Sequence, residues 1–177
     1  MSEYKQIHKD SLNTSESWHS FRKDDLCDIV CGLKSDFKEL MLVSITCVDH
    51  ITDIERFSLL YNFLDIKENR RIFLKILLRD GDAIKSISSI FPNSVWYERE
   101  VWDMFGVLFE GNADMRRILT DYGFIGHPLR KDFPLTGYTE VCYQKNTGVM
   151  YKKVNLMQDF RLYDNESSWS VLPGDEK

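Results

Sequence analysis

The sequence predicts an α+β fold: a small, mostly antiparallel sheet with helices on one face, followed by a long, irregular, extended C-terminal segment. Three observations predict it. Strand-like apolar runs alternate with short polar turns between residues 39 and 79. Helical-period stripes flank those runs on both sides. From Gly106 onward the chain carries seven of its nine glycines and three of its four prolines, which punctuate it too often for long helices. The corresponding organisation is a flexible N-terminus over 1–16, an α/β domain over 17–106 and an extended partner-binding segment over 107–177.

Taken in order, Trp18, Phe21, Leu26, Ile29, Val30 and Leu33 recur at helical spacing, and Gly32 and Ser35 stand near the end. This predicts a helix over 17–34. Glu39–Asp49 is rich in Leu, Val, Ile and Thr and reads as a strand. Asp49–Asp53 is a polar turn, Arg56–Leu64 a second strand, Asp65–Asn69 another turn and Arg71–Arg79 a third strand. In this third strand Ile72, Leu74, Ile76 and Leu78 share one face, with Arg71 and Lys75 on the other. Three strands with short links form an antiparallel meander covered on one face. Ala83, Ile84, Ile87, Ile90 and Phe91 then form a stripe that predicts a helix packed on the sheet. Pro92 ends it, and Asn93 and Ser94 can cap the next helix, Val95–Phe105, with Gly106 beyond its C-terminus.

The chain has 177 residues, 43% hydrophobic and 29% charged, which describes one ordinary globular domain with enough length to bury a core. No run approaches the roughly 18 apolar residues of a spanning helix. A net charge of -5 argues against a nucleic-acid partner. Glu3, Asp10 and Glu16 fall in a start without an apolar run, against a secretory signal or an Arg-rich transit peptide. For an organelle protein, this predicts synthesis inside the organelle.

Cys27, Cys31, Cys47 and Cys142 lack zinc or iron–sulfur spacing and read as free, mostly buried thiols. His8, His19, His50 and His127 are scattered outside metalloenzyme motifs. Glu98, Arg99, Glu100 and Asp103 cluster on one short helix, where Arg99 can pair with Asp103 at i, i+4. A metal or acid–base role is conceivable, but a solvated or partner-facing ion-pair face is the preferred reading. Trp96, Trp102 and Phe105 read as core. Arg116, Arg117, Arg130 and Lys131, interleaved with Asp121 and Asp132, are read as structural or interface salt bridges, since no phosphate-binding loop accompanies them. The aromatic-rich segment after Gly106 needs a surface to cover it. Composition leaves open whether that is a partner or the segment's own meander.

Two runs carry a resemblance. Trp96-Tyr-Glu-Arg-Glu-Val-Trp-Asp-Met-Phe-Gly106 and Arg116-Arg-Ile-Leu-Thr-Asp-Tyr-Gly-Phe-Ile-Gly-His-Pro-Leu-Arg-Lys-Asp-Phe-Pro-Leu-Thr-Gly-Tyr138 resemble signatures of the C-subunit family of proton-pumping NADH:quinone oxidoreductase (respiratory complex I). In mitochondria its members are called iron–sulfur protein 3 or NADH dehydrogenase subunit 9. Glu140–Tyr143 and Gln158–Asp164 are similar to its later segments, so the resemblance spans roughly residues 20–165. Gly111-Asn-Ala-Asp-Met-Arg-Arg117 departs from the usual Gly-His-Pro-Asp-Leu-Arg-Arg at Asn112 and Ala113. Val141-Cys-Tyr-Gln144 departs from Val-Arg-Tyr-Asp, with Cys142 in place of Arg.

The resemblance implies a non-catalytic core subunit of the peripheral arm whose C-terminal segment wraps the large quinone-site subunit. The whole complex passes electrons from NADH to ubiquinone and translocates protons. FMN and the iron–sulfur clusters lie in neighbouring subunits, and this one binds no cofactor. Membrane association is indirect, on the matrix side of the mitochondrial inner membrane or the cytoplasmic side of a bacterial one. The expected partner interface comprises Glu98, Arg99, Glu100, Trp102, Asp103, Arg116, Arg117, Asp121, Tyr122, His127, Arg130, Lys131, Asp132, Phe133 and Tyr138. The rival readings are the equivalent subunit of a membrane-bound hydrogenase-type complex and a metal-dependent hydrolase using Glu98, Glu100, Asp103 and His127.

Overall fold

The computed structural model describes residues 16–145 and 147–155. The expected Gln158–Asp164 segment lies outside the described residues. Strands β1 (Glu16–Phe21), β2 (Leu40–Asp49), β3 (Phe57–Asp65) and β4 (Arg70–Leu78) form one sheet in the order β1-β4-β3-β2. The β2–β3–β4 meander is antiparallel, as expected, and β1 adds a parallel strand on β4. Alternation does the sorting. Leu59, Tyr61 and Phe63 of β3 and Ile72, Leu74, Ile76 and Leu78 of β4 lie on one buried face, while Arg71 and Leu77 on the other are exposed. Helix α1 (Leu26–Asp36) adds Leu26, Ile29, Val30 and Leu33 to that core, and α2 (Ser94–Phe105) adds Val101. Both helices therefore cover the same face of the sheet, the α+β arrangement expected.

Two helical expectations are corrected. Residues 16–21 are a strand, and the helix starts only at Leu26, after a 3₁₀ turn over Lys23–Asp25. The spacing of Trp18 and Phe21 fits a helix, but the edge of β4 offers a ladder of backbone partners, and Arg22 is extended (φ -80°, ψ 149°). The stripe from Ala83 to Phe91 is likewise not a helix. Ala83–Lys85 forms β5, which pairs in parallel with β6 (Leu108–Glu110), and a tight turn follows with Phe91 N–H donating to Ile87 O at 2.9 Å. Ile84, Ile87 and Phe91 are buried nonetheless, so the stripe marked burial and misled on period.

Gly106 ends α2 in the left-handed conformation (φ 83°), its N–H donating to Trp102 O at 2.9 Å. Asn93 stands at the N-cap without capping through its side chain. Its amide instead donates to Leu42 O at 2.9 Å, beside the irregularity between Leu42 and Ser44 in β2.

Packing of the described residues gives two units that meet in sequence after Leu135. Val107 and Phe109 belong to the main core, and residues 111–135 run over the first unit in turns without regular elements. The second unit contains a hairpin, β7 (Thr139–Gln144) with β8 (Gly148–Lys153), in antiparallel register. No helix among the described residues is long and apolar enough to cross a membrane.

Candidate functional site

The expected interface residues converge on a strap, residues 116–132, held to the first unit by two buried carboxylates. The first is Asp103. Position 103 falls on the inward side of the last turn of α2, and its side chain is fully buried. Oδ2 accepts the three successive N–H groups of Ile118, Leu119 and Thr120 at 3.1, 2.8 and 3.0 Å, an anion nest built from the strap's own backbone. Oδ1 accepts from Arg117 Nη1 at 2.7 Å and from the Thr120 hydroxyl. Burial alone would raise this carboxyl's pKa. The hydrogen bonds from Thr120, Leu119 and Arg117 outweigh it and hold the group well below the usual carboxylate range.

Arg117 extends the grip. Its guanidinium donates to Gly126 O at 3.1 Å and lies over the rings of Trp102 and Phe124. Arg99, also buried, donates to the carbonyls of Arg116 and Arg117 at 2.9 and 3.1 Å and pairs with Asp114 at 3.5 Å. His127 Nδ1 lies 3.0 Å from Asp103 O, and its ring sits so close over Gly106 that a Cβ there would meet it at 2.7 Å. Phe133 covers Gly126 in the same way, its edge 2.8 Å from where a Cβ would stand.

The second anchor is Asp49, at the end of β2, its side chain also fully buried. Arg56 enters β3 across the hairpin and grips both carboxylate oxygens, Nε at 2.7 Å and Nη2 at 2.8 Å. The same guanidinium takes Asp132 at 2.8 and 3.2 Å, and Lys131 N–H donates to Asp49 at 2.7 Å. Arg130 pairs with Asp80 and lies over Phe57. The Arg56 hydrogen bonds to Asp49 and Asp132 raise the arginine's pKa further. For Asp49, burial pushes upward, and Arg56 and the Lys131 N–H together pull its carboxyl below the ordinary value.

The ion-pair face expected on α2 is thereby corrected. Glu98, Arg99 and Asp103 are buried, and only Glu100 of the four is exposed, because three of them point at the strap or the β5 turn rather than at solvent. Instead of pairing with each other, Arg99 pairs with Asp114 and Asp103 with Arg117. Glu98 accepts from the Ser86 hydroxyl at 2.7 Å, Ile87 N–H at 3.0 Å and Asn112 at 2.9 Å. Asn112, one of the departures from the family pattern, thus steadies a buried carboxylate. Trp102 is half-buried, as is Phe133, which packs on Phe124. Arg116, Asp121, Tyr122 and the side chain of Lys131 are exposed, and Tyr138 belongs to the second unit.

Sequence reasoning missed Asp49, Arg56, Asp80 and Thr120. One signal was available: Asp49 and Arg56 flank a polar turn between two strands, where opposite charges meet across a hairpin. Of the cysteines, only Cys47 is buried; Cys31 is exposed, because it falls on the outer side of α1. A cavity of about 520 Å³ opens beside the ends of β1 and β4, lined by charges of both signs including Lys23, Arg79 and Asp82, with no strap residue in its lining. Among the described residues, no three His, Cys, Asp or Glu side chains are grouped to hold a metal ion.

Residues 19–139 match the family described as respiratory-chain NADH dehydrogenase, 30 Kd subunit. The chain belongs to this family. Among 30 Kd relatives, the NADH-quinone oxidoreductase C subunit of Ruegeria pomeroyi is 49% identical over 160 residues, covering 86% of this chain and 80% of the relative. Its namesake from Jannaschia sp. is 51% identical over 141 residues, covering 77% and 68%. A chain in the solved structure of the membrane-bound sulfane sulfur reductase, an archaeal respiratory membrane complex, superimposes with a TM-score of 0.60 at 26% identity, over 74% of this chain and 83% of that one. The 30 Kd family is thus the setting in which the strap has to be understood.

Proposed function

We propose that this chain is a non-catalytic scaffold of the quinone-reducing module in the peripheral arm of an NADH-quinone oxidoreductase. It belongs to a subunit family of that respiratory complex. One observation carries the scaffold reading. Of the four residues a hydrolase would use, Glu98 and Asp103 direct their carboxylates at the chain's own donors and His127 sits against Asp103 O and Gly106, which leaves Glu100 alone facing solvent. Carboxylates engaged in this way fasten backbone; none faces a substrate-sized cleft in the way an acid–base pair must.

In this reading FMN, the iron–sulfur clusters and the quinone site belong to neighbouring subunits. The quinone-site subunit is the principal partner, contacted through exposed strap residues such as Arg116, Asp121 and Tyr122 and through the second unit. In this reading the location is peripheral on a membrane, the matrix side of the mitochondrial inner membrane or the cytoplasmic side of a bacterial one; the relatives at about half identity are bacterial.

Arg130→Ala tests the role. The expected result is less assembled complex, with turnover per assembled complex nearly intact. Normal assembly with abolished turnover would give the subunit a direct part in catalysis. A second reading, the equivalent subunit of a related membrane-bound complex with another electron acceptor, is favoured by the resemblance to the sulfane sulfur reductase chain. The subunits that co-purify decide between the two.

A further inference from the structure

Helix α1 turns Leu26, Ile29, Val30 and Leu33 toward the sheet. Cys27 and Cys31 fall beside that stripe at i, i+4, so their side chains lie one above the other on a common side of the helix. Both are free thiols, Cys27 half-buried and Cys31 exposed. The helix beneath them is held from several directions. Ser35 Oγ donates to Cys31 O at 2.9 Å, and Phe37 N–H donates to Leu33 O at 2.9 Å. Lys34 Nζ reaches across to Ile90 O and lies over the Phe91 ring, which ties α1 to the turn after β5.

That geometry decides which chemistry the pair can do. The Cβ atoms of an i, i+4 pair stand about 5–6 Å apart on a helix. A disulfide needs roughly 3.5–4.5 Å, so closing one would unwind the turn that carries both thiols. A single atom inserted between the two sulfurs spans the gap with the helix intact. A divalent metal ion is a poor occupant, because metals take thiolates. Burial pushes the Cys27 thiol up, Lys85 pulls it partly back, and Cys31, Asp28 and Glu98 push it further. Among the described residues, no third His, Cys, Asp or Glu joins the two cysteines in a metal-holding group. The fitting partner is an electrophile that takes up two thiols together with their protons.

We propose that Cys27 and Cys31 form a dithiol site for trivalent arsenic, bound as arsenous acid or an organoarsenic(III) hydroxide. In the binding step two As–OH bonds and two S–H bonds break and two As–S bonds form. Each hydroxide leaves with a thiol proton as water. Arsenic stays trivalent and no electrons are transferred, so neither an oxidant nor a reductant takes part. The site does not depend on the scaffold reading, and α1 supplies neither of the carboxylates that anchor the strap.

The test adds phenylarsine oxide to the full chain. Native mass spectrometry is expected to show one phenylarsenic group in place of two hydrogens, released by dimercaprol and retained against an equal concentration of mercaptoethanol. Bound probe should shield Cys27 and Cys31 from iodoacetamide and leave Cys142 labelled as in the free chain. Cys31→Ser, a change at an exposed position, should weaken binding roughly a hundredfold or more, because the second As–S bond is no longer intramolecular. Cys31→Ser/Ser35→Cys restores the number of thiols but separates them by about 12 Å of helix, and should bind as weakly as Cys31→Ser. Cys142→Ser should bind like the parent chain.

Unchanged affinity in Cys31→Ser overturns the inference, as does a phenylarsenic group mapped to Cys47 or Cys142. Tight binding by the Cys31→Ser/Ser35→Cys variant would show that the i, i+4 spacing is irrelevant and overturn it as well. A Cys27–Cys31 disulfide formed in air by the folded chain would show that α1 does not hold the sulfurs apart, with the same consequence.

Discussion

The strap and the hairpin each carry two Tyr or Phe residues among charged and polar neighbours, yet they meet their needs in opposite ways. The strap aims its backbone N–H groups and guanidinium groups at carboxylates that the first unit buries for it, Asp103 and Asp49. The hairpin satisfies its backbone internally through the β7–β8 ladder and leaves its apolar side chains outside. The difference teaches that an irregular segment is fastened at its polar groups, whereas a regular one needs cover only for its side chains. Within one family signature, the part that looks most like a binding loop is thus largely engaged with its own body.

Breaking the strap should have the largest effect. Asp103→Ala removes the shared acceptor of three backbone N–H groups, a hydroxyl and Arg117, leaving a half-buried guanidinium unpaired. A loss of about 3–5 kcal/mol is expected by urea unfolding of the isolated chain. A loss below about 1 kcal/mol would mean that the strap is not held from α2.

Acid should sharpen the same contrast. A carboxyl whose folded pKa lies below its unfolded value contributes stability that is present above the unfolded pKa, about 4, and is lost as pH falls toward the folded one. Asp103 and Asp49 are both lowered, so stability should hold from pH 7 to about 5 and fall below about 4. Asp103→Asn should flatten that acid limb, and an unchanged limb would place the titrating groups elsewhere.

Gly106→Ala probes the contact between helix end and strap. It forces a left-handed backbone on alanine and drives a Cβ into the His127 ring, for an expected loss of about 1–3 kcal/mol in thermal unfolding. Glu140→Gln in the hairpin should change stability least, within measurement error, because its partner Lys152 is solvated. A clear loss there would show that exposed hairpin ion pairs stabilise the chain as the strap's buried ones do.

Much of this was legible in the residues. The three meander strands, the alternation of Ile72, Leu74, Ile76 and Leu78 and the left-handed Gly106 follow from local chemistry, because a period-2 apolar pattern fits few other conformations. The family signature placed the candidate site between residues 96 and 138 before any contact was known. What failed did so for one reason. The spacings from Trp18 to Phe21 and from Ile84 to Ile87 are helical, but residues 16–21 and 83–85 each meet a distant strand that supplies a backbone ladder, and long-range pairing overrides a short local period.

Sequence alone settled the α+β class, the family and the residue types that the strap uses. Tertiary structure alone settled which charges face inward. Glu98, Arg99, Glu100 and Asp103 are neighbours on a helix with equivalent claims to solvent, and only the path of residues 112–120 over α2 separates the buried ones from Glu100. A charge can be buried only where partners converge on it. That convergence joins positions up to 82 residues apart, as in Asp49 and Lys131, which no local pattern encodes.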